Sequence, residues 1–315
     1  MSDAAVTVNN LTVKFGDFFA VRNVSFAVGR GEIFGFLGAN GAGKTTTIRV
    51  LCGLLEPTEG SVRVGGYGFE DGELLMKTKV GYMSQKFTLY NDLTVKENLD
   101  FTASLRKLDA DFYHKRRADL FKLISFDYAL DAKVADLPGG IKQQVSLTSA
   151  LLHDPEIVFL DEPTAGVTPA SRHRFWALIR RIAGLGKTVI VTTHYMDEAE
   201  QCGRIALMRT GELIALDTPE GLKRATFPMP MFEFEPKARA LTFSEIAKLQ
   251  NHAAFCFFEP YGLRFHASVQ SLEQWQRHRA EFEREFVVRE IQPSLEDVFI
   301  RCVEGAKTPA PEGRA

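Results

Sequence analysis

Ile33-Phe34-Gly35-Phe36-Leu37-Gly38-Ala39-Asn40-Gly41-Ala42-Gly43-Lys44-Thr45 is the stretch that decides the fold of this 315-residue chain. Its apolar run 33–37 predicts a buried strand, and the run 45–51 that follows predicts a helix. Between them lies the pattern Gly-x4-Gly-Lys-Thr, which in a strand-loop-helix setting predicts a phosphate-binding loop. Glycines suit such a loop because its backbone N–H groups must approach phosphate oxygens without a Cβ in the way, and the helix N-terminus adds partial positive charge.

This loop predicts a site for a nucleotide and a metal ion. Lys44 would reach the β- and γ-phosphates, and the Thr45 hydroxyl would bind Mg²⁺. The residues expected to hold the nucleotide are Gly38, Ala39, Asn40, Gly41, Ala42, Gly43, Lys44, Thr45 and Thr46. The alternative is a glycine-rich surface turn with an incidental lysine.

Two adjacent carboxylates follow a second buried strand. The apolar run 157–160 ends in Asp161-Glu162, and ligands of open α/β sheets bind at the carboxyl ends of strands. Asp161 could hold Mg²⁺ through water, because Mg²⁺ keeps several waters and takes few protein carboxylates. Glu162 could accept a proton from an attacking water. The alternative is an acidic pair that only caps the loop before Pro163.

Charge and composition exclude several classes of protein. Lys and Arg number 38 against 40 for Asp and Glu, so a net charge of −2 gives no global attraction to nucleic acid. The four cysteines have no paired spacing, which indicates reduced thiols. The sequence has neither a signal-peptide pattern nor a run of about 18 apolar residues, so we expect a cytoplasmic chain. If it acts at a membrane, another chain must supply the spanning helices.

The order of elements predicts an α/β fold with two domains. Runs 6–11, 20–28 and 61–64 are typical of an antiparallel β layer. Buried runs at 33–37, 157–160, 188–192 and 205–208, each followed by a helix, indicate a largely parallel sheet within a mixed-sheet core. We expect this first domain to cover residues 1–222, with a helical subdomain at about 93–153.

A second, smaller domain is expected after Pro228 and Pro230, which interrupt any helix. The order β-α-β-β-α-β over 228–304 predicts a ferredoxin-like α+β domain. A turn at Pro260-Tyr261-Gly262 would join its second and third strands. We expect the last residues, 305–315, to form a disordered tail.

With both motifs in place, residues 5 to about 220 resemble the ABC ATPase family, whose motifs occur here in the same order. The resemblance implies that Gln85 touches Mg²⁺ and the hydrolytic water, that Phe15 stacks on adenine, and that His194 contacts the γ-phosphate. The alternatives are an exposed loop glutamine, a core phenylalanine and a helix-capping histidine. The catalytic residues implied are Glu162, His194 and Gln85, and the implied metal ligands are Thr45, Gln85 and Asp161.

The family's signature normally reads Leu-Ser-Gly-Gly-x-x-Gln, whereas residues 137–144 read Leu-Pro-Gly-Gly-Ile-Lys-Gln-Gln. In the family, the signature of one subunit closes over the γ-phosphate held by another, which implies that Gly139 and Gly140 bind ATP across a dimer. Pro138 lacks the serine hydroxyl, and one hydrogen bond to a charged group is worth roughly 1.5–3 kcal/mol. Thr168 stands where the family has an aspartate that helps to couple the two sites, so weaker coupling is predicted.

Two further stretches are similar to parts of transport ATPases. Phe87-Thr88-Leu89-Tyr90 and residues 94–99 resemble the region that receives a coupling helix of the membrane subunit, although these side chains could also simply fill the core. Residues 293–299 are similar to the end of ABC-2-type drug-exporter ATPases. The resemblance implies an ATPase, dependent on ATP and Mg²⁺, that energises an ABC-2-type exporter at the inner face of the cell membrane. Its partners would be a polytopic permease and a second nucleotide-binding domain.

Two other functions stay open. A regulatory or asymmetric subunit of a heteromeric complex, which binds ATP and turns it over poorly, would fit Pro138 and Thr168. A non-transport ABC protein would have no membrane partner. The sequence lacks the long coiled coils of DNA-repair relatives and the paired nucleotide domains of translation relatives, which favours transport.

Overall fold

The computed structural model describes residues 4–85 and 88–304, and the chain divides into two compact units, Met1–Leu216 and Asp217–Ala315. Up to this boundary the strands are β1 (Ala4–Phe15), β2 (Phe18–Gly29), β3 (Ile33–Leu37), β4 (Glu59–Val64), β5 (Val80–Met83), β6 (Ile157–Asp161), β7 (Thr188–Thr193), β8 (Arg204–Arg209) and β9 (Glu212–Asp217). The helices are α1 (Lys44–Leu51), α2 (Glu73–Lys79), α3 (Val95–Leu105), α4 (Ala110–Ile124), α5 (Gly139–Leu151), α6 (Pro169–Gly184) and α7 (Met196–Ala199).

The central sheet of the first unit has the strand order β5-β6-β7-β3-β8-β9. Strands β5, β6, β7, β3 and β8 pair in parallel, and the register sets Leu37 opposite Thr193 and Asp161 opposite Thr192. Every residue of β6 and β7 is buried, as expected for continuous apolar strands covered on both faces. The carboxyl ends of β3, β6 and β7 therefore meet at one edge, which confirms the predicted α/β sheet.

A separate antiparallel sheet has the order β2-β1-β4, which confirms the predicted β layer. The interval predicted to be helical contains α3, α4 and α5, and α5 packs against both of the other helices and against β5. Among the described residues, none of the helices combines the length and the apolar character that crossing a membrane requires.

The second unit contains α8 (Pro219–Thr226), β10 (Met231–Pro236), α9 (Phe243–Gln250), β11 (Phe255–Tyr261), β12 (Arg264–Val269), α10 (Leu272–Glu285), β13 (Phe286–Ile291) and α11 (Leu295–Glu304). Its sheet has the antiparallel order β11-β12-β10-β13, which is the ferredoxin-like arrangement predicted. Phe234 lies at the centre of its core, with the rings of five other aromatic residues within 6.0 Å. The unit begins before α8 because α8 packs against α11.

The turn predicted at Pro260-Tyr261-Gly262 is wrong in its position. Strand β11 continues through Tyr261, which pairs with Arg264, so the turn consists of Gly262 and Leu263. Pro260 is tolerated inside β11 because this strand is at the edge of its sheet, where a missing N–H breaks no ladder bond. Gly262 has a φ of 62°, the left-handed conformation that tight hairpin turns require.

His153 ties the end of α5 to the central sheet. Its Nε2–H donates a 2.9 Å hydrogen bond to the Val80 carbonyl at the start of β5. Desolvation by burial lowers the pKa of His153 from 6.5 to about 4, with the Arg106 charge as a second cause. The folded chain therefore keeps this imidazole neutral at pH values where the unfolded chain protonates it.

We expect the His153 contribution to stability to be complete above pH 6.5 and to be lost as the pH falls towards 4. Over that window the free energy of unfolding of the wild type should fall by about 2 kcal/mol more than that of His153→Gln, which keeps a donor for Val80. Denaturant titrations at a series of pH values measure this difference. Parallel pH profiles for the two proteins would contradict the assignment.

Candidate functional site

The loop between β3 and α1 has a backbone that only glycine fits at several positions. Gly41 and Gly43 have φ values of 81° and 100°. A Cβ at Gly38 would lie 2.4 Å from the Met208 carbonyl oxygen, and one at Gly43 would lie 2.6 Å from that of Ala20. No described side chain caps the N-terminus of α1. The loop is therefore a backbone-lined cradle at a helix N-terminus, which suits an anion.

Lys44 is only 4% exposed although it carries an ammonium group. Its Nζ donates to the carbonyls of Gly38 at 2.7 Å and Ala39 at 3.1 Å, and lies 3.8 Å from Glu162 Oε1. Burial lowers the pKa of Lys44, while the carboxylates of Glu162 and Asp161 oppose that shift. Gly38 and Ala39 thus hold the lysine in place, and Lys44 faces the predicted base.

Asp161 is buried at the end of β6 and joins three elements. Its Oδ1 accepts hydrogen bonds from the hydroxyls of Thr45 at 3.1 Å and Thr192 at 2.6 Å. The Tyr82 hydroxyl lies 3.5 Å from Oδ2. Burial raises the pKa of Asp161, and the two threonine hydrogen bonds counteract it. Thr192 and Tyr82 were not singled out from the sequence, because their strands carry no sign of this contact.

Glu162 is the residue on which the predicted catalytic groups converge. Its Oε2 accepts a 2.9 Å hydrogen bond from Gln85 Nε2 and lies 3.5 Å from His194 Nδ1. Its backbone N–H donates to the Thr192 hydroxyl at 2.9 Å. Glu162 has a φ of 46°, a conformation uncommon for residues other than glycine and found preferentially at functional sites.

Gln85 is an exposed loop residue, as its alternative expected, but its Nε2 also donates a hydrogen bond to the Glu162 carboxylate. His194 does not match the helix-capping alternative. The N-cap of α7 is Tyr195, so His194 does not cap that helix. His194 Nδ1 is buried and makes no hydrogen bond within the described part of the chain. This unsatisfied nitrogen beside Glu162 can serve an incoming ligand.

A cavity of about 320 Å³ opens over the loop. Phe15 lines it and is 51% exposed, which excludes the core alternative for this residue. Phe18, opposite Phe15 across the turn between β1 and β2, lines it too and is 65% exposed. Phe18 was missed, although the Gly16-Asp17 turn between two phenylalanines could have indicated it. The other lining residues are Ala20, Asn40, Gly41, Ala42, Gly43, Lys44, Thr45, Thr46, Gln85 and Glu162.

The donor set fits a nucleoside triphosphate with Mg²⁺. The glycine cradle admits phosphate oxygens at places that a Cβ would fill, and Lys44 supplies a buried positive charge. One carboxylate beside a hydroxyl, Asp161 with Thr45, suits an ion that keeps several waters. Exposed aromatic rings at the cavity rim suit a base.

Gly139 and Gly140, at the start of α5, do not line this cavity. A Cβ at Gly139 would meet no atom within 4 Å, and the nearest atom to one at Gly140 would be Ser171 Oγ at 3.9 Å. Neither has a positive φ. The described part of the chain therefore gives no packing reason for these glycines. Within one chain the predicted nucleotide-binding residues fall into two separate groups.

The two departures from the family pattern have local structural roles. Pro138 precedes the first turn of α5 and provides no side-chain hydrogen bond there. Thr168 is the N-cap of α6, where its hydroxyl accepts from the Ser171 N–H at 3.3 Å. Threonine thus keeps the helix-capping function that an aspartate would also perform, without its charge.

Comparisons with known proteins agree with this geometry. Residues 21–165 match the ABC transporter family. The chain is 44% identical over 221 residues to the probable multidrug ABC transporter ATP-binding protein YbhF of Escherichia coli, covering 70% of this chain and 38% of that protein. It is 34% identical over 264 residues to the Nod factor export ATP-binding protein I of Burkholderia orbicola, covering 82% and 87%.

Solved structures are similar as well. The ATP-binding subunit of an ABC transporter matches with a TM-score of 0.64 and 28% identity, over 70% of this chain and 92% of that one. The dimeric post-hydrolysis structure of the ATP-binding cassette MJ0796, bound to ADP and Pi, matches with a TM-score of 0.61 and 26% identity, over 68% and 98%.

Fold and site together define a P-loop ATPase domain of the α/β class. The chain belongs to the family of ABC transporter ATP-binding proteins, which confirms the resemblance drawn from its motifs. It spans about two fifths of the length of the Escherichia coli relative.

Proposed function

We propose that this chain binds and hydrolyses ATP as the energising subunit of an ABC-2-type membrane exporter. ATP hydrolysis is supported by the surroundings of the Glu162 carboxylate. Side-chain nitrogens of Lys44, Gln85 and His194 all lie within 4 Å of its oxygens. The names of the relatives, which include multidrug transport, Nod factor export and linearmycin resistance, support the export part.

Each residue of the site has a specific part in the proposed reaction. Glu162 would accept the proton of the attacking water, and Gln85 fixes its carboxylate by donating to Oε2. His194 would donate to the γ-phosphate or accept from the water, since its Nδ1 has no hydrogen bond within the described residues. Lys44 would stabilise the phosphate charge from within the loop. When bound, Mg²⁺ would add positive charge at the phosphates, with Thr45, Asp161 and Gln85 as its nearest protein groups.

A second nucleotide-binding domain would complete the site. Gly139 and Gly140 are free of packing constraints and lie at a helix N-terminus, where a phosphate of a neighbouring subunit could approach the backbone. Their separation from the Lys44 cavity in one chain supports an arrangement in which each ATP lies between two subunits.

A groove lined mainly by residues that follow Gln85 in the chain is the proposed docking place for a membrane permease. It has a volume of about 260 Å³, and Tyr90, Phe101 and Leu105 line it. Tyr90 is exposed and packs edge-on against Phe101 at 5.1 Å, so it does not fill the core, whereas Phe87 lies outside the described residues. The buried Asn98 side chain bonds the backbone of Tyr90 on both sides, which anchors this segment. Such a partner would hold the chain at the inner face of the membrane.

Glu162→Gln should lower kcat for ATP hydrolysis by about 10²–10⁴, because a positioned general base contributes that much. ATP binding should persist, since the loop and Lys44 are unchanged. Phosphate-release assays and nucleotide titrations of the purified chain, alone and with its permease, measure both quantities. Glu156→Gln is the control, because the Glu156 side chain is 41% exposed and, among the described residues, forms ion pairs only with Lys79 and Arg30. An unchanged kcat in Glu162→Gln would show that Glu162 is not the general base.

Leu105→Arg should abolish complex formation with a polytopic membrane permease, because a charge would be buried in the groove. Leu185→Arg is a matched control, since Leu185 is 64% exposed against 70% for Leu105. Co-expression followed by affinity purification from detergent-solubilised membranes measures the complex. Equal recovery of the permease with both variants would exclude this docking place.

A catalytically weak subunit of a heteromeric complex is the second candidate. It is favoured by Thr168, whose hydroxyl is engaged in capping α6, and by Pro138, which offers no donor. Steady hydrolysis by the wild-type chain alone would exclude this candidate, whereas ATP binding without turnover would exclude the first.

A further inference from the structure

Tyr195 connects α6 to His194 through contacts of its aromatic ring. The guanidinium carbon of Arg172, in the first turn of α6, lies 3.8 Å from the centre of the Tyr195 ring. That ring lies 4.1 Å from the imidazole ring of His194, at an angle of 38°. A planar cation on an aromatic face is an attractive contact with a defined geometry. A displacement of Arg172 would therefore disturb the ring that supports His194.

Glu198, in α7, contacts residues next to both His194 and Glu162, as well as Arg172. Its carboxylate is 1% exposed and accepts hydrogen bonds from the hydroxyls of Thr193, at 2.6 Å, and Thr164. Arg172 Nε lies 3.3 Å from Glu198 Oε1. Thr193 directly precedes His194, and Thr164 is the second residue after Glu162. The buried carboxylate thus holds the chain next to both functional residues.

We propose that Arg172 is a positioning residue that fixes His194 relative to Glu162, acting through Tyr195 and Glu198. The inference rests on the proposed function, because His194 matters here as a group that meets the γ-phosphate. His194 and Glu162 have only a 3.5 Å contact with one another, so their relative position must be set by neighbouring residues.

The contacts of Glu198 with Thr193, Thr164 and Arg172 are polar, which supports a positioning role for Arg172 over simple packing. Burying a carboxylate costs free energy that its partners only partly return, and apolar residues of similar size often stabilise as well or better. Hydrogen bonds and ion pairs, in contrast, fix directions as well as distances. Glu198 accepts hydrogen bonds from Thr164 and Thr193 and forms an ion pair with Arg172. Apolar packing could hold these three segments together but could not orient them.

Four variants test the proposal by kinetics. Arg172→Met and Tyr195→Leu should each lower kcat by about tenfold with KM unchanged, a part of the 10²–10⁴ that acid-base positioning contributes. Arg172→Lys should lie between these and the wild type, because it keeps a charge near Glu198 and loses the flat stacking. Arg180→Met is the control, since Arg180 is on the same helix and its exposed side chain bonds Gln201 near α7. Wild-type kcat in Tyr195→Leu would overturn the proposal.

A double-substitution cycle separates positioning from general damage. In a His194→Ala background, Tyr195→Leu should change kcat less than about twofold, because its effect passes through the missing imidazole. A further tenfold loss in that background would show a merely structural role. Arg172→Met leaves Glu198 buried without its cation and could fail to fold, whereas Tyr195→Leu keeps that ion pair.

A measurement without hydrolysis distinguishes failure of this inference from failure of the proposed function. In NMR spectra of the nucleotide-free full chain, whose histidines number seven, His194 can be assigned by His194→Ala. Its imidazole resonance should move in Arg172→Met, or in Arg172→Lys if the first variant does not fold, and should stay in Arg180→Met. An unmoved resonance would overturn the positioning role even in a chain that hydrolyses ATP. A moved resonance in a chain without turnover would leave the positioning role intact and reject the proposed function.

Discussion

The hydrogen bonds to the buried Asp161 carboxylate are the interaction on which the rest of the site depends. Asp161 Oδ1 accepts from Thr45 at the start of α1 and from Thr192 near the end of β7, so three elements are tied at one edge of the sheet. Parallel pairing of β3, β6 and β7 brings their ends to that edge. The phosphate-binding loop follows β3 and the carboxylates end β6, so the parallel pairing of the strands places them next to each other.

Several features of this edge work against stability. Lys44 is buried with a lowered pKa, Asp161 is buried with a raised one, and Glu162 has a left-handed backbone. A sequence selected only for stability would avoid each of these, since buried charge and backbone strain persist only where the surroundings compensate. The surrounding sheet supplies that compensation, because β6 and β7 are buried along their whole length. The strained residues are also the ones that a nucleotide would contact.

Much of this fold and most residues that line the cavity could be predicted from local patterns and motifs, whereas many contacts between them could not. Continuous apolar runs give β3 and β7, and the order of elements gives the ferredoxin-like unit. The contacts of Thr192 and Tyr82 with Asp161 depend on register between strands far apart in sequence, which no local pattern contains. The contacts of Glu198 also depend on the tertiary fold, so local sequence patterns do not predict them. The turn after β11 was misplaced because proline usually ends a strand, whereas the edge position of β11 accommodates it.

We expect the metal–nucleotide complex to bind at the edge of the sheet where Asp161 lies. The most direct test is an electron paramagnetic resonance titration with Mn²⁺, as a reporter for Mg²⁺, in the presence of a non-hydrolysable ATP analogue. Asp161→Asn keeps the hydrogen-bond acceptor for Thr45 and Thr192 and removes the charge, so it should weaken Mn²⁺ binding by about 10- to 100-fold. Unchanged Mn²⁺ affinity in a folded Asp161→Asn protein would show that the metal–nucleotide complex binds elsewhere.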